Sequence, residues 1–257
     1  MGQLSGKITF DGRVAIVTGG GQGLGQAHSN LLASRGATVV VNDLPDNGTD
    51  LGISERANRA AAEIVAAGGK AIAIGGDVTS KEAMDSLIFQ TLHQFGQIDI
   101  LISNAGTASF IPFHQMTLED FDRMLRIHMH GSFLLAHAAW PHMAKRRYGR
   151  IIMTSSSGMF GLENHAHYVA AKAGVFGLTR ALSLEGRIAG IAVNAIMPVA
   201  YTPLTRQTAG TPTIGVDSAK AIATMASRAA GPELVSPFVA WLAHEGYLRW
   251  RQACSLC

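Results

Sequence analysis

Tyr168 and Lys172 stand four residues apart in Tyr-Val-Ala-Ala-Lys, and Ser155 lies thirteen residues before the tyrosine. Residues four apart on a helix share a face, so the phenol of Tyr168 and the ammonium of Lys172 can address one small volume. A phenol with an ordinary pKa of about 10 is a poor base near neutrality, and a neighbouring cation favours its phenolate. The pair therefore reads as acid-base machinery. The same spacing is common on solvated helices, so its chemistry depends on what the rest of the chain places around it.

A second candidate site lies near the start of the chain, in Thr18-Gly-Gly-Gly-Gln-Gly-Leu-Gly25. Gly19, Gly23 and Gly25 allow a tight turn and close approach of a diphosphate, and the helix that starts there offers unpaired N–H groups and the positive end of its dipole. Gln22 and Leu24 fill the variable positions of this G-x-x-x-G-x-G spacing. Asp43 follows 18 residues after Gly25. A carboxylate there accepts hydrogen bonds from ribose hydroxyls and repels a 2′-phosphate. The sequence places no Arg or Lys in the glycine turn or next to Asp43, so NAD is expected over NADP.

These residues need a scaffold, and the chain supplies alternating elements. Apolar, β-branched runs at 13–18, 37–42, 71–75, 98–102, 149–154 and 190–196 predict strands. Helical patterns fall at 24–35, 54–67, 80–95, 118–145 and 165–187, with capping signals at Thr79/Glu82 and Thr117/Asp120. Continuous apolar strands alternating with helices imply an α/β fold, a doubly wound parallel sheet of Rossmann type covered on both faces. In such a sheet ligands bind beyond the carboxyl ends of the strands. No linker or repeat divides residues 1–257, which read as one domain, and 200–230 reads as a substrate lid without strong apolar periodicity.

Composition bounds the rest. With 47% hydrophobic and 15% charged residues in 257, the chain can bury a large core and is not disordered. A net charge of +3, spread along the chain, gives no nucleic-acid footprint. The sequence offers no apolar run of membrane-spanning length and no signal peptide, so a cytoplasmic protein is expected. The two cysteines, Cys254 and Cys257, imply no disulfide framework, and the ten histidines form no cluster that predicts a metal.

Thr18-Gly19-x-x-x-Gly23-x-Gly25, Asp77-Val78, Asn104-Ala105-Gly106, Ser155 and Tyr168-x-x-x-Lys172 resemble, in order and spacing, the short-chain dehydrogenase/reductase family. The likeness runs from about Gly12 to Glu245. It implies that Asp77 and Val78 hold the adenine and that Asn104, Ala105 and Gly106 close the middle of the cofactor site. Ser155 would orient the substrate oxygen, Tyr168 would exchange its proton, and Lys172 would bind the nicotinamide ribose and lower the tyrosine's pKa. Hydride would pass between a secondary alcohol and NAD. His128-Met-His-Gly-Ser-Phe133, Ala139-Trp-Pro-His-Met143, Tyr148-Gly-Arg-Ile-Ile-Met-Thr-Ser-Ser156 and the stretch from Glu233 to Glu245 look like the (3R)-hydroxyacyl-CoA dehydrogenase module of multifunctional enzymes and its single-domain relatives. That likeness implies a 3-hydroxyacyl thioester or a hydroxysteroid as substrate. The helix after Tyr168 is rich in small residues that permit close packing; the family resemblance implies packing against a symmetry mate in a homodimer or homotetramer, and packing on the protomer's own sheet is the alternative.

Three positions depart from the wider family. His128 stands where an asparagine usually holds a relay water through its backbone carbonyl, and it is a catalytic candidate in that sense. Pro198 is followed by Val199 rather than glycine, and Thr202 is a candidate contact to the nicotinamide carboxamide. The tail 246–257 lacks the family's last strand. Lys145-Arg146-Arg147 could meet an anionic substrate, although cations at a helix C-terminus already suit its dipole. His165 and His167 are either pocket-mouth residues or an exposed helix start.

Overall fold

Strands that are apolar on both sides are stable only when helices cover both faces of their sheet. The structure, a computed structural model that describes residues 8–209, 216–228 and 231–246, satisfies this requirement. β1 (Val14–Thr18), β2 (Thr38–Asp43), β4 (Lys70–Gly76), β5 (Ile100–Ser103), β6 (Gly149–Thr154) and β7 (Ile191–Ile196) are parallel. The two-residue β3 (Leu51–Gly52) pairs antiparallel with β4. The order β3-β4-β2-β1-β5-β6-β7 reverses direction at β1, which opens a crevice between the ends of β1 and β5. Val17 pairs with Val41 on one side and Ile102 on the other, so the glycine turn, Asp43 and Asn104 leave the sheet side by side.

One core lies under α1 (Gly23–Ser34), α2 (Glu55–Ala66) and α9 (Ser236–Ala243), where Leu32, Ile64, Val239 and Leu242 meet Val39, Val41 and Ile102. The other lies under α3 (Lys81–Phe95), α5 (Gly131–Arg146) and α6 (Ala166–Ala189), where Met84, Leu87, Leu135, Met143 and Val175 meet Ile16, Leu101 and Ile151. Burying one such side chain contributes about 1.5–3 kcal/mol.

The predicted strands and the first three helices agree with the structure to within two residues. Thr117 and Asp120 form the expected reciprocal cap. At α3 the cap is Ser80, whose side chain accepts from the Ala83 N–H, and not Thr79. The helix predicted over 118–145 is broken into α4 (Leu118–Leu125), a π-helical turn at Arg126–His130, and α5. The expected lid contains α7 (Pro203–Ala209) and α8 (Val216–Ser227). Their apolar residues, Leu204 and Ile222 among them, line the cleft rather than the main core, and therefore left no strong stripe in the sequence. Residues 247–257 of the altered tail, both cysteines among them, fall outside the described residues.

α9 is latched to α1 by a buried polar contact, 2.8 Å between His28 Nδ1 and Ser236 Oγ. Burial lowers the His28 pKa from 6.5 to about 4. Between those values the unfolded chain takes up a proton that the folded chain refuses, so this contribution to stability is complete above pH 6.5 and is lost as pH falls toward 4. His28→Gln should reduce the acid-side slope of stability by up to about 1.4 kcal/mol per pH unit. Denaturant unfolding from pH 7 to 4 measures this slope, and an unchanged slope would contradict the assignment.

Candidate active site

The loops after β1, β2, β5, β6 and β7 surround a single cleft of about 700 Å³, with α7 and α8 along its rim. Its floor is the glycine turn. A methyl group on Gly25 would lie 2.1 Å from the Gly19 oxygen, and one on Gly19 would lie 2.8 Å from the Ala105 Cα. Gly19 and Gly23 also have φ of 61° and 57°, in the left-handed region. Gln22 precedes α1 in an extended conformation and makes no side-chain cap, and it lines the cleft with Gly23 and Leu24 of the helix start.

Thr18 and Asn104 brace this turn. Thr18 Oγ1 accepts from the N–H groups of Asn104 and Ala105 at 3.1 and 3.2 Å. Asn104 Nδ2 donates back to the carbonyls of Thr18 and Gly19 at 3.1 and 3.3 Å. The asparagine side chain is thus spent on the turn itself, which fixes the gap between β1 and β5. Asp77 turns one carboxylate oxygen onto the Thr79 N–H at 2.8 Å, while Val78 packs against Gly131. Gln22, Leu24, Asp77, Val78, Ala105, Gly106, Pro198 and Thr202 all line the cleft.

Asp43 lies at the carboxyl end of β2, nearly buried. Its Oδ2 accepts from the Gly21 N–H at 3.0 Å and its Oδ1 from the Leu44 N–H at 2.8 Å. The expectation that no cation stands beside it does not hold, because Arg56 Nη2 lies 3.3 Å from Asp43 Oδ1. Thirteen residues separate them in sequence, and the short return through β3 closes that distance.

At the other end of the cleft, α6 presents Tyr168 and Lys172 against the end of β6. Lys172 is 4% exposed and donates to the Thr154 carbonyl at 2.7 Å. Burial lowers its pKa from 10.5 to about 7. Its Nζ is 5.6 Å from the centre of the Tyr168 ring. Burial also raises the Tyr168 pKa above 10.0, opposed by a hydrogen bond with the Ser156 hydroxyl. Desolvation thus outweighs the Ser156 hydrogen bond, and it is this serine rather than Lys172 that lowers the tyrosine's pKa.

The two serines divide differently from expectation. Ser155 is 1% exposed, and its Oγ donates to the Lys172 carbonyl at 2.9 Å, which ties β6 to α6. The hydroxyl at the phenol belongs to Ser156. Its Oγ also accepts from the Gly158 N–H at 3.1 Å, which holds the 3-10 turn Ser157–Phe160 in place. Neighbouring residues leaving an extended strand point opposite ways, and a count back from Tyr168 cannot tell which faces it.

Histidines wall the phenol. The His128 and His165 rings stand edge-on to Tyr168 at 5.4 and 5.5 Å. His128 is buried; its Nε2 lies 2.9 Å from the Thr107 carbonyl, and Gly106 leaves room for the ring, which a methyl group there would meet at 2.5 Å. The His128 carbonyl, in the π-helical turn, accepts from Ser132 Oγ at 2.7 Å, and Ser132 contacts Ser103 Oγ at 2.9 Å. His165 is 3% exposed and lines the cleft, and burial lowers its pKa to about 4. His167, wholly buried, meets Ser109 Oγ at 2.9 Å. Neither is an exposed helix start. Arg146 pairs with buried Asp99 at 3.1 Å, away from the cleft, so part of the basic run is structural.

Among the described residues no group of three or more His, Cys, Asp or Glu side chains could hold a metal, and no helix is long and apolar enough to cross a membrane. The family model for short chain dehydrogenase matches residues 13–213. The chain is 41% identical over 244 residues to peroxisomal multifunctional enzyme type 2 of Mus musculus, covering 94% of this chain and 31% of that protein. It is 42% identical over 241 residues to the peroxisomal hydratase-dehydrogenase-epimerase of Neurospora crassa, covering 93% of this chain and 25% of the relative. It thus spans about a quarter to a third of the length of these two proteins. Among solved structures, levodione reductase superposes with a TM-score of 0.82 at 29% identity, covering 92% of each chain. A short chain dehydrogenase from Mycobacterium avium gives 0.76 at 34% identity, covering 93% of this chain and 78% of its own. With this sheet, this cleft and a family match over most of its length, the chain belongs to the short-chain dehydrogenases, oxidoreductases of CH–OH groups that use a nicotinamide cofactor.

Proposed function

We propose that the chain is an NAD-dependent dehydrogenase of 3-hydroxyacyl thioesters in which Tyr168 exchanges the proton of the substrate hydroxyl. The observation that carries this reading is the convergence of the Tyr168 phenol, the Ser156 hydroxyl and the Lys172 ammonium at one end of a cleft whose other end is a glycine turn flanked by Asp43. The cleft fits a dinucleotide, because the tight turn that only glycines at 19 and 25 allow, and the uncapped start of α1, both line it. When bound, that cofactor supplies the hydride acceptor or donor and, in its oxidised form, a positive charge near the phenol.

The protein's own groups do the remaining work. The glycine turn and α1 hold the diphosphate, Asp43 takes the adenosine ribose, and Pro198 and Thr202 border the nicotinamide end. Lys172 reaches the second ribose from its hydrogen bond to Thr154. Tyr168 accepts the alcohol proton in oxidation and returns it in reduction, while Ser156 shares the substrate oxygen and, by hydrogen bonding, favours the phenolate. Ser155 is a positioning residue that holds the Lys172 backbone. The His128 side chain braces the Thr107 loop beside the phenol. Phe110, Ile127 and Leu162 give the substrate end an apolar wall suited to an acyl chain. The name of the Neurospora crassa relative, a hydratase-dehydrogenase-epimerase, supports a dehydrogenase, and the choice of a hydroxyacyl substrate over a hydroxysteroid or a simple secondary alcohol rests on the resemblance of the stretches at His128–Phe133, Ala139–Met143 and Tyr148–Ser156.

Absorbance of the reduced cofactor, followed with a panel of 3-hydroxyacyl-CoA, hydroxysteroid and simple secondary alcohols, tests the assignment. The highest kcat/KM should fall on the thioesters. Tight NAD binding without turnover of any alcohol would favour a dinucleotide sensor instead. Tyr168→Phe should cost about 10²–10⁴-fold in kcat, with NAD affinity within about twofold of wild type. A variant that kept most of its activity would overturn the role of the phenol.

The serines separate by pH. Ser156→Ala should lower kcat about 10–100-fold and move the rise of oxidation rate to higher pH, because the bond that favours the phenolate is lost. Ser155→Ala should cost about 1 kcal/mol of stability and leave the pH profile in place. The reverse pattern would return the role to Ser155.

A further inference from the structure

His165 is the second imidazole beside the phenol, and it differs from its neighbours in what it holds. The His128 ring meets the Thr107 carbonyl, and the His167 ring meets Ser109 Oγ. His165 is 3% exposed and lines the cleft 5.5 Å from the Tyr168 ring, yet its Nδ1 is buried without a hydrogen-bond partner. A buried polar side chain in that condition asks for a ligand or a water. The backbone of Glu163 and Asn164 favours its protonated form, but burial outweighs this and lowers the pKa to about 4. Near neutrality the ring is therefore uncharged, with one N–H donor and one bare nitrogen.

Its position is fixed from two sides. The Phe110 ring packs edge-on against it at 3.6 Å, and the Ile111 N–H donates to the Asn164 carbonyl at 2.8 Å, which ties the loop after β5 to the residue before the histidine. Asn164 has a φ of 59°, in the left-handed region that asparagine tolerates better than most residues. Backbone held there persists where the structure around it over-determines it, and it gathers at ligand sites. The turn places His165 on the cleft at the foot of α6, one helical turn before Val169, whose N–H donates to the His165 carbonyl at 2.9 Å.

With Nδ1 turned inward, Nε2 is the nitrogen left to address the cleft, and in the neutral ring it can carry the proton. A 3-hydroxyacyl thioester brings a second oxygen, its carbonyl, two bonds from the carbon that exchanges hydride. The neighbouring wall of Phe110 and Leu162 offers that oxygen no donor. We infer that His165 donates a hydrogen bond to the thioester carbonyl while Tyr168 and Ser156 hold the hydroxyl, and that this second contact selects 3-hydroxyacyl thioesters over simple secondary alcohols. The inference rests on the thioester reading above and adds a residue that sets the choice of substrate. A site built to hydrogen-bond a substrate group disfavours the analogue that lacks it.

Titration calorimetry in saturating NADH tests the contact without turnover, using butyryl-CoA, which keeps the thioester carbonyl and lacks the hydroxyl, and S-butyl-CoA, the thioether without that oxygen. Wild type should bind the thioester about 3–10-fold more tightly than the thioether. His165→Leu should bring this ratio to about one, and His165→Gln, which keeps an N–H donor, should restore most of it. The ratio is read within each variant, so a loosened fold that weakens both ligands alike does not imitate the result. A ratio that survives in His165→Leu, or equal affinities in wild type, would overturn the inference and leave the thioester reading standing. Wild type that binds neither ligand would remove the thioester reading, and this contact with it.

Discussion

Lys172 is a buried cation whose hydrogen-bond partner is a neutral carbonyl. Its ammonium sits 2.7 Å from Thr154 O, and burial alone accounts for the fall of its pKa to about 7. The cost of charging it is present in the folded protein below pH 7 and is relieved as pH rises toward 10.5, where the unfolded chain also loses the proton. The same burial holds Tyr168 on its protonated side. Near neutrality Lys172 is therefore divided between its charged and neutral forms while Tyr168 stays protonated, so the phenol is not yet shifted toward its base form. In the proposed reading, Lys172 and the loops around Tyr168 would hold an oxidised nicotinamide cofactor, whose positive charge would favour the phenolate.

The fold exists to hold this corner and the glycine turn at opposite ends of one cleft. β6 delivers Thr154, Ser155 and Ser156 in consecutive positions: a carbonyl for the lysine, a hydroxyl that anchors α6, and a hydroxyl for the phenol. The reversal of strand order at β1 opens the crevice, and Thr18 and Asn104 fix its width. The π-helical turn interrupts what would be one long helix and aims His128 at the Thr107 loop beside Tyr168.

The sheet was legible in the sequence because each central strand is buried on both faces and reads as an unbroken apolar run. The glycine turn and the Tyr168/Lys172 pair were legible because their spacing matches one backbone turn and one helical turn. Ser156 was hidden beside Ser155, since spacing identifies a loop length and not which of two neighbouring hydroxyls faces inward. Arg56 was hidden because a two-residue strand, Leu51–Gly52, folds the intervening loop back onto β4. The π-helical turn left no trace, since an extra residue in a helix shifts its apolar stripe without erasing it. His165 and His167 turn inward because the Phe110 and Ser109 loop packs over them, a contact between segments more than fifty residues apart.

The central claim is that desolvation holds Lys172 poised between its charged and neutral forms. Carbon NMR of lysine side chains labelled at Cε, titrated from pH 5 to pH 12 in the protein without cofactor, measures this directly. One resonance, absent in Lys172→Met, should titrate near 7 while the other lysines titrate around 10.5. If the Lys172 resonance titrated with the rest, the ammonium would be solvated or paired with a counter-charge, and the account of the site would be contradicted.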